Sequence, residues 1–271
     1  MEIKRITAKD NPLIKRYRKL ASSKKFRETE NSFILEGKRL INDAYENGVK
    51  FDKLLITDSA YEKNKSEAEE MLKKFGKDFV LIDDKTGEML SETQNTQGFF
   101  AICDIPQKYD ADEMLSAKKG NYMVLSRLQD PGNMGTILRT ADALGIDAVF
   151  SCRSCEVFSP KTVRAAMGAA FRVKTITISE EELFEKLKRH NVVSYAAVLA
   201  ENSIVLSAET FSGSLKNAVF IGNEGNGLEK EVYEKCDKRI IIPMSENAES
   251  LNAAMAAGIF MWEMKKAGTS K

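Results

Sequence analysis

Apolar positions along this chain fall into short runs that alternate with stretches of helical spacing, and the alternation occurs twice. Runs at 32–36, 53–57, 79–82 and 99–102 are bounded by Gly, Asn and Asp and read as strands. Between them, periodicity near 3.6 predicts helices over 38–46, 61–75 and 86–90, the first stopped at Gly48. The second series is longer and more apolar. It predicts strands at 122–125, 148–150, 173–178, 192–199, 219–221 and 239–242. Helices are expected over 134–144, 162–171, 180–189, 229–236 and 250–265, with Gly145 ending the first. Alternation of this kind implies α/β units, and a mostly parallel sheet in the second, whose strand-end loops carry the site.

Ahead of both series, Asn11-Pro12 is a helix start, a capping residue followed by proline at the first helical position. Leu13, Tyr17 and Leu20 then recur on one face. The expected division is a basic helical extension over 1–30, an α/β unit over 31–106, a linker over 107–118 marked by Pro106-Gln107-Lys108-Tyr109-Asp110, and a second α/β domain over 119–271.

Composition narrows the chemistry. A chain of 271 residues with 43% hydrophobic and 30% charged positions holds two ordinary globular domains. No apolar run reaches the roughly 18 residues that span a membrane. The start, Met1-Glu2-Ile3-Lys4-Arg5, turns polar at once, with no signal-peptide core, so a cytoplasmic location is expected. Four cysteines do not make a disulfide framework. Cys152 and Cys155 form a CxxC, but zinc wants two more ligands and Cys103 and Cys236 supply no second pair. The single histidine, His190, excludes an HExxH site and any two- or three-histidine metal centre; at the polar end of a helix it reads as a solvated side chain. Chemistry is left to carboxylate, hydroxyl, amide or guanidinium groups, or to a cofactor, and no metal is expected.

The net charge of +1 hides an uneven distribution. The first 28 residues carry ten Lys and Arg against Glu2, Asp10 and Glu28. Lys15, Arg16, Arg18 and Lys19 lie on the polar faces of the first helix. They read equally as the solvated side of a packed helix and as an arm that contacts phosphates.

Three loops carry candidate chemistry. In Asp130-Pro131-Gly132-Asn133-Met134-Gly135-Thr136-Ile137-Leu138-Arg139, Pro131 and Gly132 turn the chain, Asn133 can cap the next helix, and Arg139 lies away from the apolar face. In Phe220-Ile221-Gly222-Asn223-Glu224-Gly225-Asn226-Gly227-Leu228, three glycines surround one acid in the order Gly-x-x-Gly-x-Gly. That is neither the dinucleotide fingerprint nor a Walker A loop. The third loop, from Ile242-Pro243-Met244 to Glu249-Ser250-Leu251-Asn252-Ala253-Ala254, leads to a helix that Ser250 is placed to cap. Taken singly, each has a plain structural reading: a capped helix with a solvated arginine, a tight turn, a capped amphipathic helix.

In this order and spacing the three loops resemble the SpoU (TrmH-like) family of RNA 2′-O-ribose methyltransferases, over residues from about 120 to 266. The first domain, opening at Phe33-Ile34-Leu35-Glu36-Gly37-Lys38-Arg39-Leu40, is similar to the substrate-binding domain often attached to that family. The resemblance implies a SPOUT-type C-terminal domain with a trefoil knot, preceded by a smaller α/β RNA-binding domain, acting as a homodimer. It implies S-adenosylmethionine held largely by backbone groups at Gly222, Ile242 and Leu251, with Asn223, Gly227, Pro243 and Met244 beside them. It places the family's catalytic arginine, contributed at the dimer interface, on Arg139, and the remaining polar positions on Asn133, Glu224, Ser250 and Asn252. A guanidinium stays protonated at neutral pH, so clamping phosphate and stabilising alkoxide charge stands beside the base proposed for it. Lys38, Arg39, Arg164 and Arg172 join the four basic residues of the first helix as candidate RNA contacts. Ribosomal RNA is favoured over transfer RNA. A non-catalytic RNA-binding protein of the same fold and a nucleotide-dependent oxidoreductase are the rival readings; the glycine order disfavours the latter.

Overall fold

The computed structural model describes residues 3–106, 109–200, 202–207, 209–245, 247–248 and 250–269. Two compact units are present, Met1–Pro106 with Phe158–Arg164, and Gln107–Val157 with Ala165–Lys271. Gln107 and Lys108, within the expected boundary, lie outside the described residues. Among the described residues, no helix is long and apolar enough to cross a membrane.

In the first unit the elements are β1 (Lys4–Ile6), α1 (Pro12–Ser22), α2 (Lys24–Glu30), β2 (Ser32–Glu36), α3 (Lys38–Glu46), β3 (Phe51–Thr57), α4 (Asp58–Lys63), α5 (Lys65–Phe75), β4 (Phe79–Ile82), α6 (Asp84–Leu90) and β5 (Phe99–Asp104). The sheet order is β1-β4-β3-β5-β2, with β5 antiparallel to both of its neighbours. The N-terminal segment is not an extension. β1 is the edge strand of this sheet, parallel to β4, and Ile14, Tyr17 and Leu20 of α1 pack into the core with Ile34, Leu55 and Phe100. The buried face of α1 thus runs through Ile14 instead of Leu13, because the Asn11 cap, whose side chain accepts from Leu13 N at 2.9 Å, sets the helix phase. The helix expected over 61–75 is two helices. Thr57, at the end of β3, caps α4 by accepting from Ala60 N, and Asn64 breaks the run at φ −121°.

The second unit holds α7 (Ala111–Leu115), β6 (Gly120–Ser126), α8 (Pro131–Leu144), β7 (Ala148–Cys152), the end of α9 (Pro160–Ala166, whose residues up to Arg164 belong to the first unit), α10 (Ala169–Arg172), β8 (Thr175–Thr177), α11 (Glu180–Arg189), β9 (Val193–Ala197), β10 (Ile204–Val205), β11 (Lys216–Ile221), α12 (Lys230–Tyr233), β12 (Lys238–Ile241) and α13 (Ala253–Thr269). All seven strands run parallel in the order β10-β12-β9-β11-β6-β7-β8. Strands buried on both faces need near-continuous apolar sequence, and β6, β7 and β11 supply it: Tyr122, Val124, Phe150, Ala218 and Phe220 are fully buried. From β6 the chain winds outward through β7 to β8, then returns on the other side to β9. β11 later fills the place between β9 and β6. The direction of winding reverses between β6 and β11, the switch point at which open parallel sheets bind ligands beyond their strand C-termini.

Three further expectations change here. The segment expected as a linker contains α7, whose Ala111 and Leu115 belong to the core; Tyr122 Oη donates to Met114 O at 3.0 Å. The helix expected over 162–171 breaks at Met167 and Gly168, both at positive φ (50° and 87°). His190 is tied down, its Nε2 2.8 Å from Asp112 Oδ1 and its side chain 19% exposed. Lys186 and Arg189 also pair with Asp112. Hydrogen bonds from Lys186 and then His190 hold the Asp112 carboxyl down at about 2, so this aspartate fastens α7 to α11. Burial pushes the Cys152 thiol up to about 12, which keeps it protonated.

At the C-terminal ends of β6 and β7, the buried carboxylate of Glu180 accepts from Ser126 Oγ and from Arg153 Nε, each at 2.9 Å. Arg153 also pairs with Glu229 at 3.3 Å, and Glu229 with Arg127. Arg127 and Arg153 both sit in left-handed backbone, at φ 57° and 49°, so the ion-pair network holds a strained rim. Burial works to raise the Glu180 pKa, but the bonds from Arg153 and Ser126 outweigh it and leave the group below its ordinary 4.5. A carboxyl depressed in the folded state stabilises above its unfolded pKa and loses that contribution as pH falls through the folded one. Glu180→Gln is therefore expected to flatten the fall in stability below about pH 4.5, measured by urea unfolding at several pH values. Arg153→Ala, which strands the carboxylate, should cost about 1–3 kcal/mol at neutral pH.

Candidate active site

The switch between β6 and β11 joins the candidate loops. Glu224, in the loop after β11, accepts from Gln129 N at 3.0 Å, Asp130 N at 2.9 Å and Asn133 Nδ2 at 3.0 Å. These bonds occupy three of the roughly four acceptor sites of a carboxylate. Burial acts to raise its pKa, but the bonds from Asn133, Gln129 and Asp130 hold it below the usual glutamate range. Asn133 in turn accepts, through Oδ1, a bond from Asn252 Nδ2 at 3.0 Å. Asn252 Oδ1 accepts from Ala254 N and Met255 N at the start of α13. A single chain of side chains, Asn252 to Asn133 to Glu224, thus links all three loops and the N-termini of α8 and α13.

Two capping assignments are corrected by this geometry. Asp130 caps α8, accepting from Asn133 N at 2.7 Å, which leaves the Asn133 amide free to bridge loops. Asn252 caps α13, where Ser250 was expected; α13 begins at Ala253, and the Asn252 carbonyl also takes the first helical bond, from Ala256 N. Ser250 is exposed and makes no hydrogen bond among the described residues, so the structure does not bring it into the chain.

The glycine loop is closed on itself. Asn223 and Gly227 exchange backbone bonds at 3.0 and 2.9 Å, and Gly227 has φ +65°. A Cβ on Gly222 would lie 2.1 Å from Gly227 C, so only glycine permits this closure. Asn223 was expected beside the cofactor; its side chain instead shapes the turn. Oδ1 accepts from Gly225 N and Asn226 N, and Nδ2 donates to Arg127 O. The backbone faces of the loop remain for a ligand.

Because the strands are parallel, the ends of β11, β9 and β12 lie side by side on one edge, about 5 Å apart. Gly222 follows β11 and Ile242, Pro243 and Met244 follow β12. Leu199, beyond β9 and so between these two, is 75% exposed, and Leu251, next to the Asn252 cap, is 39% exposed. Two bare leucines on a polar rim suit an apolar ligand face. Leu199 was missed from sequence, where it reads as the last residue of a strand.

Arg139 is six residues past Asn133 on α8, about 9 Å farther along the axis. It is exposed, with no hydrogen bond or ion pair within the chain among the described residues, and it stands outside the amide chain. Beside it, α13 packs on α8 with Gly258 opposite Thr140, 3.8 Å from a Cβ placed there. The outer side of α13 exposes Met255 (60%) and Trp262 (54%).

Several expected RNA contacts are engaged internally. Arg16 pairs with Glu30 and Asp52, Lys38 with Glu67, Arg164 with Glu92 at 2.7 Å and Arg172 with Asp142 at 2.9 Å. Lys15 pairs only with the exposed Asp10, Lys19 lies 4.2 Å over the Phe26 ring, and Arg18 and Arg39 are exposed. Of the eight candidates, Lys15, Arg18, Lys19 and Arg39 best keep their charge available.

Comparison with known proteins matches this arrangement. Residues 120–262 match the model of the SpoU rRNA Methylase family, and residues 11–101 that of an MRM3-like substrate binding domain. The chain is 29% identical over 267 residues, 97% of its length and 100% of the relative's, to the 23S rRNA (guanosine(2553)-2'-O)-methyltransferase RlmP of Bacillus subtilis strain 168. It is 30% identical to a tRNA/rRNA methyltransferase of Synechocystis sp., covering 98% of this chain and 94% of that one. An AdoMet-bound rRNA methyltransferase from Sinorhizobium meliloti superposes with a TM-score of 0.85 at 28% identity, over 97% of this chain and 98% of that one. With motif loops, sheet order and relatives in agreement, the chain belongs to the SpoU rRNA methylase family.

Proposed function

We propose that this protein transfers a methyl group from S-adenosylmethionine to a ribose 2′-hydroxyl of ribosomal RNA. The observation that carries the reading is the Asn252–Asn133–Glu224 chain, which draws three separated motifs together at the switch point of a parallel sheet. The residues suit the methyl donor. The Gly222 turn closes on Gly227 with no room for a Cβ, so backbone without a side chain follows β11 there, Ile242, Pro243 and Met244 continue the same rim, and Leu199 and Leu251 offer exposed apolar surface. When bound, the donor supplies an electrophilic methyl on a sulfonium. Methyl transfer is an in-line displacement, so the protein's tasks are alignment and removal of the hydroxyl proton. Glu224 acts through Asn133 as a positioning group, since most of its acceptor sites already hold the 129–133 loop. Arg139, with no ion pair among the described residues, is offered to the RNA phosphate and to the alkoxide charge.

A homodimer accounts for an arginine exposed beside a helix face bearing Met255 and Trp262: a second copy would cover those side chains and receive Arg139. Slotting of β11 between β9 and β6, and of β12 between β10 and β9, supports the trefoil knot that the family resemblance implies. Ribosomal RNA is preferred over transfer RNA because the N-terminal unit matches a substrate binding domain and the full-length relative in Bacillus carries a 23S rRNA name. Lys15, Arg18, Lys19 and Arg39 supply its phosphate contacts, in the cytoplasm where that RNA resides.

The test is methyl transfer from labelled donor to 23S rRNA and to tRNA, with 2′-O-methyl mapping of the product. Label on 23S rRNA alone is expected; label on tRNA alone would replace the substrate, and binding without label would leave an RNA-binding protein. Arg139→Ala is expected to lower transfer at least about a hundredfold with donor affinity retained, whereas Asn252→Ala, losing cap and bridge together, should also cost about 0.5–2 kcal/mol of stability. Mixing Arg139→Ala with Asn133→Ala subunits should restore about a quarter of the wild-type rate if each site is completed by the partner; no recovery would place Arg139 in its own subunit's site.

A further inference from the structure

The break in the expected 162–171 helix exposes one side chain in an unusual setting. Ala166, Ala169 and Ala170 are buried to 4% exposure or less, yet Met167 between them is 44% exposed, in left-handed backbone at φ +50°. A bulky residue there costs about 1–2 kcal/mol relative to glycine, and with 44% of its surface exposed the side chain recovers only part of what full burial would give.

The segment is fixed along one face of α8. A Cβ on Gly135 would lie 2.4 Å from Ala165 Cβ and 2.8 Å from the backbone of Ala165 and Ala166, so the chain passes in contact with α8 there. At the other end Arg172 Nε bonds Asp142 Oδ2 at 2.9 Å. Gly135, Arg139 and Asp142 stand at i, i+4 and i+7, one face of the helix. The segment therefore runs parallel to α8 along the side that carries Arg139, and Met167 projects between its two anchor points.

We propose that Met167 is a substrate-contacting residue: its thioether packs against the unstacked nucleobase of the target nucleotide while Arg139 holds the adjoining phosphate. The inference rests on the function proposed above. An unbranched, polarizable side chain suits the face of an aromatic ring, and target bases in RNA are commonly splayed out onto such surfaces. Backbone strain clusters at ligand sites, and the strained side chain here is an exposed one.

The experiment compares wild type, Met167→Gly and Met167→Leu for methyl transfer to a 23S rRNA transcript, affinity for that RNA by filter binding, affinity for S-adenosylmethionine, thermal midpoint and sedimentation. Glycine accepts the left-handed backbone, so Met167→Gly is expected to keep or raise the thermal midpoint and keep donor affinity, while KM for RNA and the RNA Kd rise about tenfold. Met167→Leu should restore both to within about threefold. Wild-type KM and RNA affinity in Met167→Gly overturn the proposal. So does a lowered midpoint with weakened donor binding, which makes Met167 a packing residue, or dissociation to monomers, which makes it an interface residue. A wild type that binds the transcript without methylating it refutes the proposed function instead, and RNA affinity then judges Met167 alone.

Discussion

Everything at the strand ends of the second unit depends on a hydrogen-bonded relay of two amides and a carboxylate. Asn252 caps the start of α13 through Oδ1 and donates to Asn133 through Nδ2, while Asn133, in the first turn of α8, accepts from Asn252 and donates to Glu224, which tips the loop after β11. Such double use demands residues with both a donor and an acceptor, which is why two of the three are asparagine. Replacing Asn133 by aspartate would set a carboxylate against that of Glu224, and replacing Asn252 would set one against the amide oxygen of Asn133, with no proton to share at neutral pH. The sheet supplies the other half of the arrangement. Insertion of β11 between β9 and β6 puts loops that are about ninety residues apart in sequence onto adjacent strands.

The relay also sorts the polar residues by role. Glu224 sits where a catalytic carboxylate might be sought, but its oxygens face the backbone of 129 and 130 and the amide of Asn133. A carboxylate so engaged has little basicity left, consistent with its depressed pKa. Asn223 is likewise occupied by its own turn. Among the described residues, Arg139 has no ion pair and Leu199 and Leu251 are exposed apolar surface, a distribution that suits a donor with apolar faces and a polyanionic acceptor better than it suits general-base chemistry from a carboxylate.

Much of this was legible in the sequence, unevenly. Both α/β units and nearly every strand follow from apolar periodicity, because strands such as β6 and β11 are buried on both faces and leave no polar interruption. The three site loops were recognisable from their glycines, caps and order. Which residue caps each helix was not: Asp130 and Asn133, or Ser250 and Asn252, are equally good caps by type, and only the bridging bond decides. Paired cations were equally opaque, since Arg16 meets Asp52 and Arg164 meets Glu92 across long stretches of chain. In the N-terminal residues Tyr17 and Leu20 were read on the apolar face of a helix, but with Leu13 in place of Ile14, and the surrounding charge hid Lys4–Ile6 as a strand.

The helix break at Met167 illustrates where local propensity yields to tertiary constraint. Alanine-rich sequence from 165 to 170 favours a continuous helix, and Gly168 alone would interrupt it only weakly. Yet the chain makes the tight approach of Ala165 to Gly135 before the break and the Arg172–Asp142 pair after it. The left-handed pair at 167 and 168 redirects the chain so that both contacts form. Glycine at 168 takes up half of that turn without strain. The other half falls on a methionine that is 44% exposed, where a second glycine would serve the backbone better and packing within the unit uses only part of the side chain.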